Sequence, residues 1–124
     1  MAFGYHLMLD MYDCTGAAFS SFDLCYAFLE RLSDLLEMTR QAPPYLFRSD
    51  AARFPDKAGF SGWLPLIESG IQIHTIEPVR FVSLDVYSCR AYDTQAVIAF
   101  AASEFSPAWL EHQFVERGKT YPRA

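Results

Sequence analysis

Ile71-Gln72-Ile73-His74-Thr75-Ile76-Glu77-Pro78-Val79-Arg80-Phe81-Val82-Ser83-Leu84-Asp85-Val86-Tyr87-Ser88-Cys89 is the stretch that decides the fold. On one side of Glu77-Pro78, Ile71 and Ile73 alternate with Gln72 and His74. On the other, Val82, Leu84 and Val86 alternate with Ser83, Asp85, Tyr87 and Cys89. A period of two is the signature of a strand, and proline favours the turn between two of them. Strands are therefore predicted at about 70 to 76 and 80 to 89, paired as a hairpin turned by Glu77-Pro78. Burying both apolar sets on one side fixes the register, because a slip of one residue would turn every side chain over. His74 and Cys89 then project from the same, more polar face, and the end of the second strand lies opposite the neighbourhood of Ser69. Ser69 itself falls at a strand start, where the pleat does not dictate its orientation.

Working outward, residues 3 to 12 alternate, with Tyr5, Leu7, Leu9 and Met11 on one side, and read as a strand. Ser20 or Ser21 can cap a helix running to about Arg40, since Cys25, Phe28, Leu29, Leu32, Leu35 and Leu36 recur at helical spacing. Glu30, Arg31, Asp34 and Glu37 give it a solvated face. Pro43-Pro44 stops that helix, Tyr45 to Arg48 form a short strand, and a polar loop runs through Lys57. A strand at about 60 to 67 precedes the hairpin. A helix from Asp93 to about Phe105 and a strand from about Leu110 to Glu116 follow it. The pattern is α+β, a two-layer sandwich in which an antiparallel sheet carries two helices on one face. Its other face needs a cover, which a second subunit or a bound substrate would supply.

At 124 residues and 52% hydrophobic content the chain is long enough for one domain with a core, over residues 1 to 124. A net charge of -5 argues against binding a nucleic-acid backbone and mildly favours cationic ligands. No apolar run approaches a membrane span, and Met1-Ala2-Phe3-Gly4-Tyr5-His6 lacks a basic region leading into a signal core, so a cytoplasmic location without a membrane partner is expected. Cys14, Cys25 and Cys89 are an odd number without CxxC spacing, which points to reduced thiols, with Cys25 on the apolar stripe of the helix. His6, His74 and His112 lack metal-ligand spacing, and no metal is expected.

The chemistry-bearing residues cluster at the hairpin. Glu68-Ser69 is followed by His74 and Cys89, which together offer a nucleophile, a base and a thiol acid, with Gly59-Phe60-Ser61-Gly62 ahead. Taken singly, Glu68-Ser69-Gly70 is an ordinary turn, His74 a surface strand residue and Cys89 a half-buried thiol. Taken together, in this order and spacing, they resemble the S-adenosylmethionine decarboxylases of bacteria and archaea. The resemblance extends from Gly4-Tyr5-His6 and Tyr12-Asp13-Cys14 to a looser match at Phe114-Val115-Glu116-Arg117-Gly118.

That resemblance implies a proenzyme that cuts itself between Glu68 and Ser69, leaving a β chain 1–68 and an α chain 69–124. Ser69 would become a covalent pyruvoyl group, the cofactor that carries the Schiff base to the substrate. It also implies processing roles for His74 and Ser61, a proton-donor role for Cys89, and a homodimer of αβ units with active sites associated with paired sheets. Physically, Ser69 Oγ would attack the Glu68 carbonyl to form an ester, and removal of the Ser69 α-proton would expel the Glu68 carboxylate. Histidine is the side chain most often used to move protons at neutral pH, which makes His74 the candidate to assist. The implied reaction releases carbon dioxide from S-adenosylmethionine for spermidine synthesis.

Departures fall on the substrate side. Where the family usually continues His-Thr-Trp-Pro-Glu, this chain has His74-Thr75-Ile76-Glu77-Pro78, so the aromatic is missing and the acid is displaced by one residue. The residue after Ser69, commonly histidine, is Gly70. The resemblance assigns Phe54 to stacking on adenine and Glu77 to the ribose hydroxyls. Arginine or ornithine as the substrate on the same scaffold, and a non-processing regulatory paralogue, are the alternatives.

Overall fold

The computed structural model describes residues 1–122. In chain order the elements are β1 (Gly4–Tyr12), α1 (Ala17–Ser20), α2 (Phe22–Leu35), β2 (Tyr45–Ser49), β3 (Gly59–Leu66), β4 (Ser69–Ile76), β5 (Phe81–Ser88), α3 (Thr94–Phe105) and β6 (Trp109–Arg117). The strands make one antiparallel sheet in the order β2-β3-β4-β5-β1-β6. The central hairpin has the register that the alternation demands, with Ile71 opposite Val86, Ile73 opposite Leu84 and His74 opposite Ser83. A single 3-10 turn at Glu77–Val79 joins the two strands, closed by Arg80 in left-handed backbone (φ 51°).

The helices cover one face of the sheet. Ser21 caps α2 by accepting the Leu24 N–H, and Asp93 caps α3 by accepting the Ala96 N–H, each satisfying a donor that the first turn leaves without a partner. Phe28, Leu29 and Leu32 of α2 and Val97, Ala101 and Phe105 of α3 are fully buried in one core with Leu7, Leu9, Met11, Ile71, Val82 and Leu84 of the sheet. Phe28 meets Phe105 edge to face, with ring centroids 4.9 Å apart. Each such side chain contributes about 1.5–3 kcal/mol through removal from water. The opposite face is open: His6, Gln72, His74, Ser83, Asp85 and Tyr87 all stay partly exposed there.

Two features differ from the sequence reading. Ala17–Ser20 forms a short extra helix, and α2 ends at Leu35 rather than near Arg40. The cause of the early stop is local. Glu37 takes left-handed backbone (φ 53°), its N–H donates to Asp34 O, and the next N–H, from Met38, donates to Ser33 O. Those two bonds are the Schellman closure, usually built on glycine, and buried Met38 supplies its apolar contact.

Candidate active site

Ser69 opens β4 directly after the two-residue turn Ile67-Glu68, which links it to β3 through the pair Leu66 and Ser69. Neither Ile67 nor Glu68 has positive φ, so this is not one of the primed turns whose twist matches that of the strands. The mismatch falls on Ser69, whose φ is 145°, a region that only glycine enters freely. The turn is held from both sides. On one, Ile67 N–H donates to Thr39 O and the Glu68 carboxylate accepts the Thr39 N–H at 3.0 Å. On the other, the Glu68 carbonyl accepts the Cys89 N–H at 2.8 Å. The carbonyl beside the serine is thus fixed and polarised, as an acyl carbon awaiting a nucleophile needs to be.

Cys89 lies one residue past β5, opposite Glu68, and is half-buried. Arg90 pins this segment to the end of α2, donating to Leu36 O at 2.8 Å and Glu37 O at 2.7 Å. The other two thiols are unsuited to chemistry. Burial, with Asp13 nearby, pushes Cys14 up to about 11, and burial alone pushes Cys25 up to about 12.

His74 is elsewhere. Its Nδ1 lies 3.0 Å from Ser61 Oγ across the β3–β4 ladder, where the two residues are direct partners. Five residues of strand, about 16 Å, separate it from Ser69. The structure therefore brings together Ser69 with Cys89 and, separately, Ser61 with His74, but not the two pairs within one chain.

Two hollows lie on the open face: one is lined by Ser69 but not by Cys89, the other by both Ser61 and His74. A cavity of about 360 Å³ reaches Ser69, with His6, Trp63, Gln72, Asp85, Tyr87 and Arg117 around it. His6 Nε2 lies 2.9 Å from Asp85 Oδ1, and the Arg117 guanidinium sits 4.4 Å from the Tyr87 ring centre. A second cavity, of about 570 Å³, holds Ser61 and His74 beside Tyr45, Phe47 and Trp63. Phe54 and Glu77 stand outside both linings. Phe54 lies under the Arg53 guanidinium at 5.2 Å in the β2–β3 connection, and Glu77 pairs with Arg48 at 3.3 Å. The sequence reading singled out neither Arg117, Tyr87 and Asp85 nor the aromatic trio. A signal existed for the former, since Asp85 and Tyr87 share the polar face of β5 and Arg117 lies in the C-terminal stretch already noted.

With that geometry in place, the comparison with known families becomes specific. The family model described as S-adenosylmethionine decarboxylase matches residues 5–118, from β1 to the end of β6. The chain belongs to the S-adenosylmethionine decarboxylase family. Among relatives named "S-adenosylmethionine decarboxylase proenzyme", one from Clostridium botulinum strain Loch Maree is 26% identical over 117 residues, spanning 94% of this chain and 95% of the relative. One from strain Langeland is 28% identical over 120 residues with the same coverage. The fold of the adenosylmethionine decarboxylase from Aquifex aeolicus superposes with a TM-score of 0.80 at 20% identity, covering 99% of this chain and 97% of that one. The six-stranded α+β architecture is therefore the decarboxylase fold. No helix among the described residues is long and apolar enough to cross a membrane, and no group of His, Cys, Asp or Glu among them is placed to hold a metal ion.

Proposed function

We propose that this chain is a self-processing S-adenosylmethionine decarboxylase working in the cytoplasm, with Ser69 as the source of its pyruvoyl group. The observation that carries the reading is the strained Ser69 (φ 145°) placed directly after a carbonyl held by the Cys89 N–H. Ser69 Oγ attacks the Glu68 carbonyl carbon, the C–N bond breaks, and an ester replaces the amide. Loss of the Ser69 α-proton then breaks the Cβ–O bond and frees residues 1–68 with a C-terminal carboxylate. Water replaces the nitrogen left on residue 69, which departs as ammonia. A pyruvoyl group held at residue 69, at the head of β4, would supply a ketone for the substrate amine and an electron sink for loss of carbon dioxide. Cys89, half-buried and adjacent to the turn, supplies the proton to carbon.

His74 and Ser61 support processing in this reading, and their distance from Ser69 favours a site shared between two chains. A general base must come within about 3 Å of the proton it takes, and about 16 Å of strand intervenes. A two-fold related second copy, with the open faces together, brings the Ser61–His74 pair of one chain to Ser69 of the partner subunit, and the symmetry completes both sites at once. The homodimer of αβ units follows, with the open face as its cover.

Denaturing mass spectrometry of purified protein tests the core of this reading. Fragments 1–68 and 69–124 are expected, the second beginning with a hydrazine-reactive carbonyl, and Ser69→Ala stays whole. An intact wild-type chain after prolonged incubation overturns it. Co-expression of Ser69→Ala with His74→Ala tests the assembly, because only a shared site lets the His74→Ala chain be cut. Carbon dioxide release from S-adenosylmethionine, against arginine and ornithine, fixes the substrate.

A further inference from the structure

β5 pairs with its neighbours as far as Ser88, which faces Ser69 on one side and Tyr5 on the other. Cys89 and Arg90 lie past that ladder, at the start of the connection to α3, and are held by other bonds. The Cys89 N–H donates to Glu68 O at 2.8 Å, and the Arg90 N–H donates to the buried Ser88 Oγ at 2.9 Å. The Arg90 side chain then reaches across to α2, where Nη2 donates to Leu36 O and Glu37 O. The last turn of α2 has no basic side chain of its own, so Arg90 brings the positive charge that the negative end of a helix favours. The chain just after α2 also grips the other side of the site. Thr39 bonds to the Ile67 N–H and to the Glu68 carboxylate, and the Gln41 N–H donates to Pro65 O at 3.0 Å.

We propose that Arg90 is a positioning residue for self-cleavage: by tying the Cys89 segment to the end of α2, it keeps the Cys89 N–H on the carbonyl that Ser69 attacks. On the reading of Ser69 as the self-processing serine, residues 36–41 are a bracket. One arm holds Cys89-Arg90, the other holds Ile67-Glu68, and the bond between Cys89 N–H and Glu68 O closes it. Attack by Ser69 Oγ puts negative charge on Glu68 O, and the Cys89 N–H is a donor already in place for it. A donor of this kind helps only while it stays put, and a displacement of about 1 Å can cost on the order of a hundredfold in rate. Without the guanidinium, the segment is left with its bonds to a turn and to a serine hydroxyl. Lysine can replace much of what is lost, because both bonds to the helix end leave from a single arginine nitrogen and an ammonium carries three donors.

The test times self-cleavage of freshly synthesised full-length chain by denaturing mass spectrometry. Arg90→Ala should slow it about ten- to a hundredfold, and Arg90→Lys should return it to within about fivefold of wild type. Arg31→Ala, which takes a guanidinium from α2 and breaks its pairing with Glu104 of α3, controls for lost stability and should cut at the wild-type rate. A second measurement needs no cleavage. In the Ser69→Ala chain, which stays whole, adding Arg90→Ala should speed hydrogen exchange at the Cys89 amide about tenfold and leave the amides in the middle of β5 unchanged. If Arg90→Ala does not fold, Arg90→Gln carries both measurements. Cleavage by Arg90→Ala within about twofold of wild type, or slowed no more than by Arg31→Ala, overturns the positioning role and leaves self-processing standing. A Cys89 amide that exchanges no faster does the same. A wild-type chain that never cuts itself overturns self-processing, and this role for Arg90 with it.

Discussion

The strain at Ser69 can be measured by removing the hydroxyl in two ways. Ser69→Ala and Ser69→Gly both lack the nucleophile, so both should remain single uncleaved chains and can be compared directly. Alanine must keep a Cβ at φ 145°, a conformation that costs on the order of 1–3 kcal/mol for a non-glycine residue. Glycine escapes that cost but loses about 0.5–1 kcal/mol through the greater freedom of its unfolded chain. The balance favours Ser69→Gly by about 1 kcal/mol, or a rise in Tm of about 3–6 °C for a chain of this size. Urea unfolding at fixed protein concentration, with equal m-values, gives the difference without interference from dimer dissociation. If Ser69→Ala proves as stable as Ser69→Gly, or more so, the ordinary glycine penalty is acting unopposed. The serine then sits in relaxed backbone, and the argument that the turn loads the scissile bond is wrong.

Other perturbations separate the parts of the site. Cys89→Ala should still permit cleavage, since the Glu68 carbonyl bonds to its backbone N–H rather than its thiol, but should lose most turnover or misprotonate the product; wild-type product fidelity by mass spectrometry would remove Cys89 from the mechanism. Tyr92→Phe removes a half-buried hydroxyl that accepts the Leu7 N–H at 3.0 Å and donates to Val86 O at 2.6 Å, so unfolding free energy should fall by about 1–3 kcal/mol, measured in urea. Asp10 has its pKa raised by burial first, then by Glu111 and Asp85. A raised carboxyl pKa means the folded state holds its proton longer, so the group destabilises the fold above that pKa and the penalty vanishes as pH falls below the unfolded value. Asp10→Asn should therefore raise the thermal midpoint at pH 7 and leave it unchanged near pH 3, as a pair of calorimetric scans will show.

Much of this was legible in the chain because the relevant physics is local. Alternation around Glu77-Pro78 fixed the β4–β5 register, and Ser21 and Asp93 announced their helices. The Schellman stop at Glu37 left no such trace, since glycine usually marks it and here a glutamate adopts the left-handed backbone. The place of β1 between β5 and β6 was equally silent, because pairing between residues about 70 to 110 positions apart is decided by the whole sheet. Within the site, the roles proposed for Ser69 and Cys89 rest on the family resemblance, while the pairing of Ser61 with His74 could have been counted out: once Ile67-Glu68 is taken as a two-residue turn, Leu66 faces Ser69 and the same ladder sets Ser61 against His74. Phe54 and Glu77 were assigned by resemblance, and their place outside both cavities of the single chain was not legible in the sequence.

The strand order has a further effect under the proposed cut between Glu68 and Ser69. The first product carries β1, β2 and β3, and the second carries β4, β5 and β6. These do not lie side by side as two halves, because β1 is inserted between β5 and β6, laddered to the first from Tyr5 to Met11 and to the second from Gly4 to Tyr12. The products are dovetailed. Neither can slide away without stripping both flanks of β1 and opening the core around Leu7 and Leu9, so the severed chain should behave as one cooperative body in which the nick relaxes a turn and releases nothing.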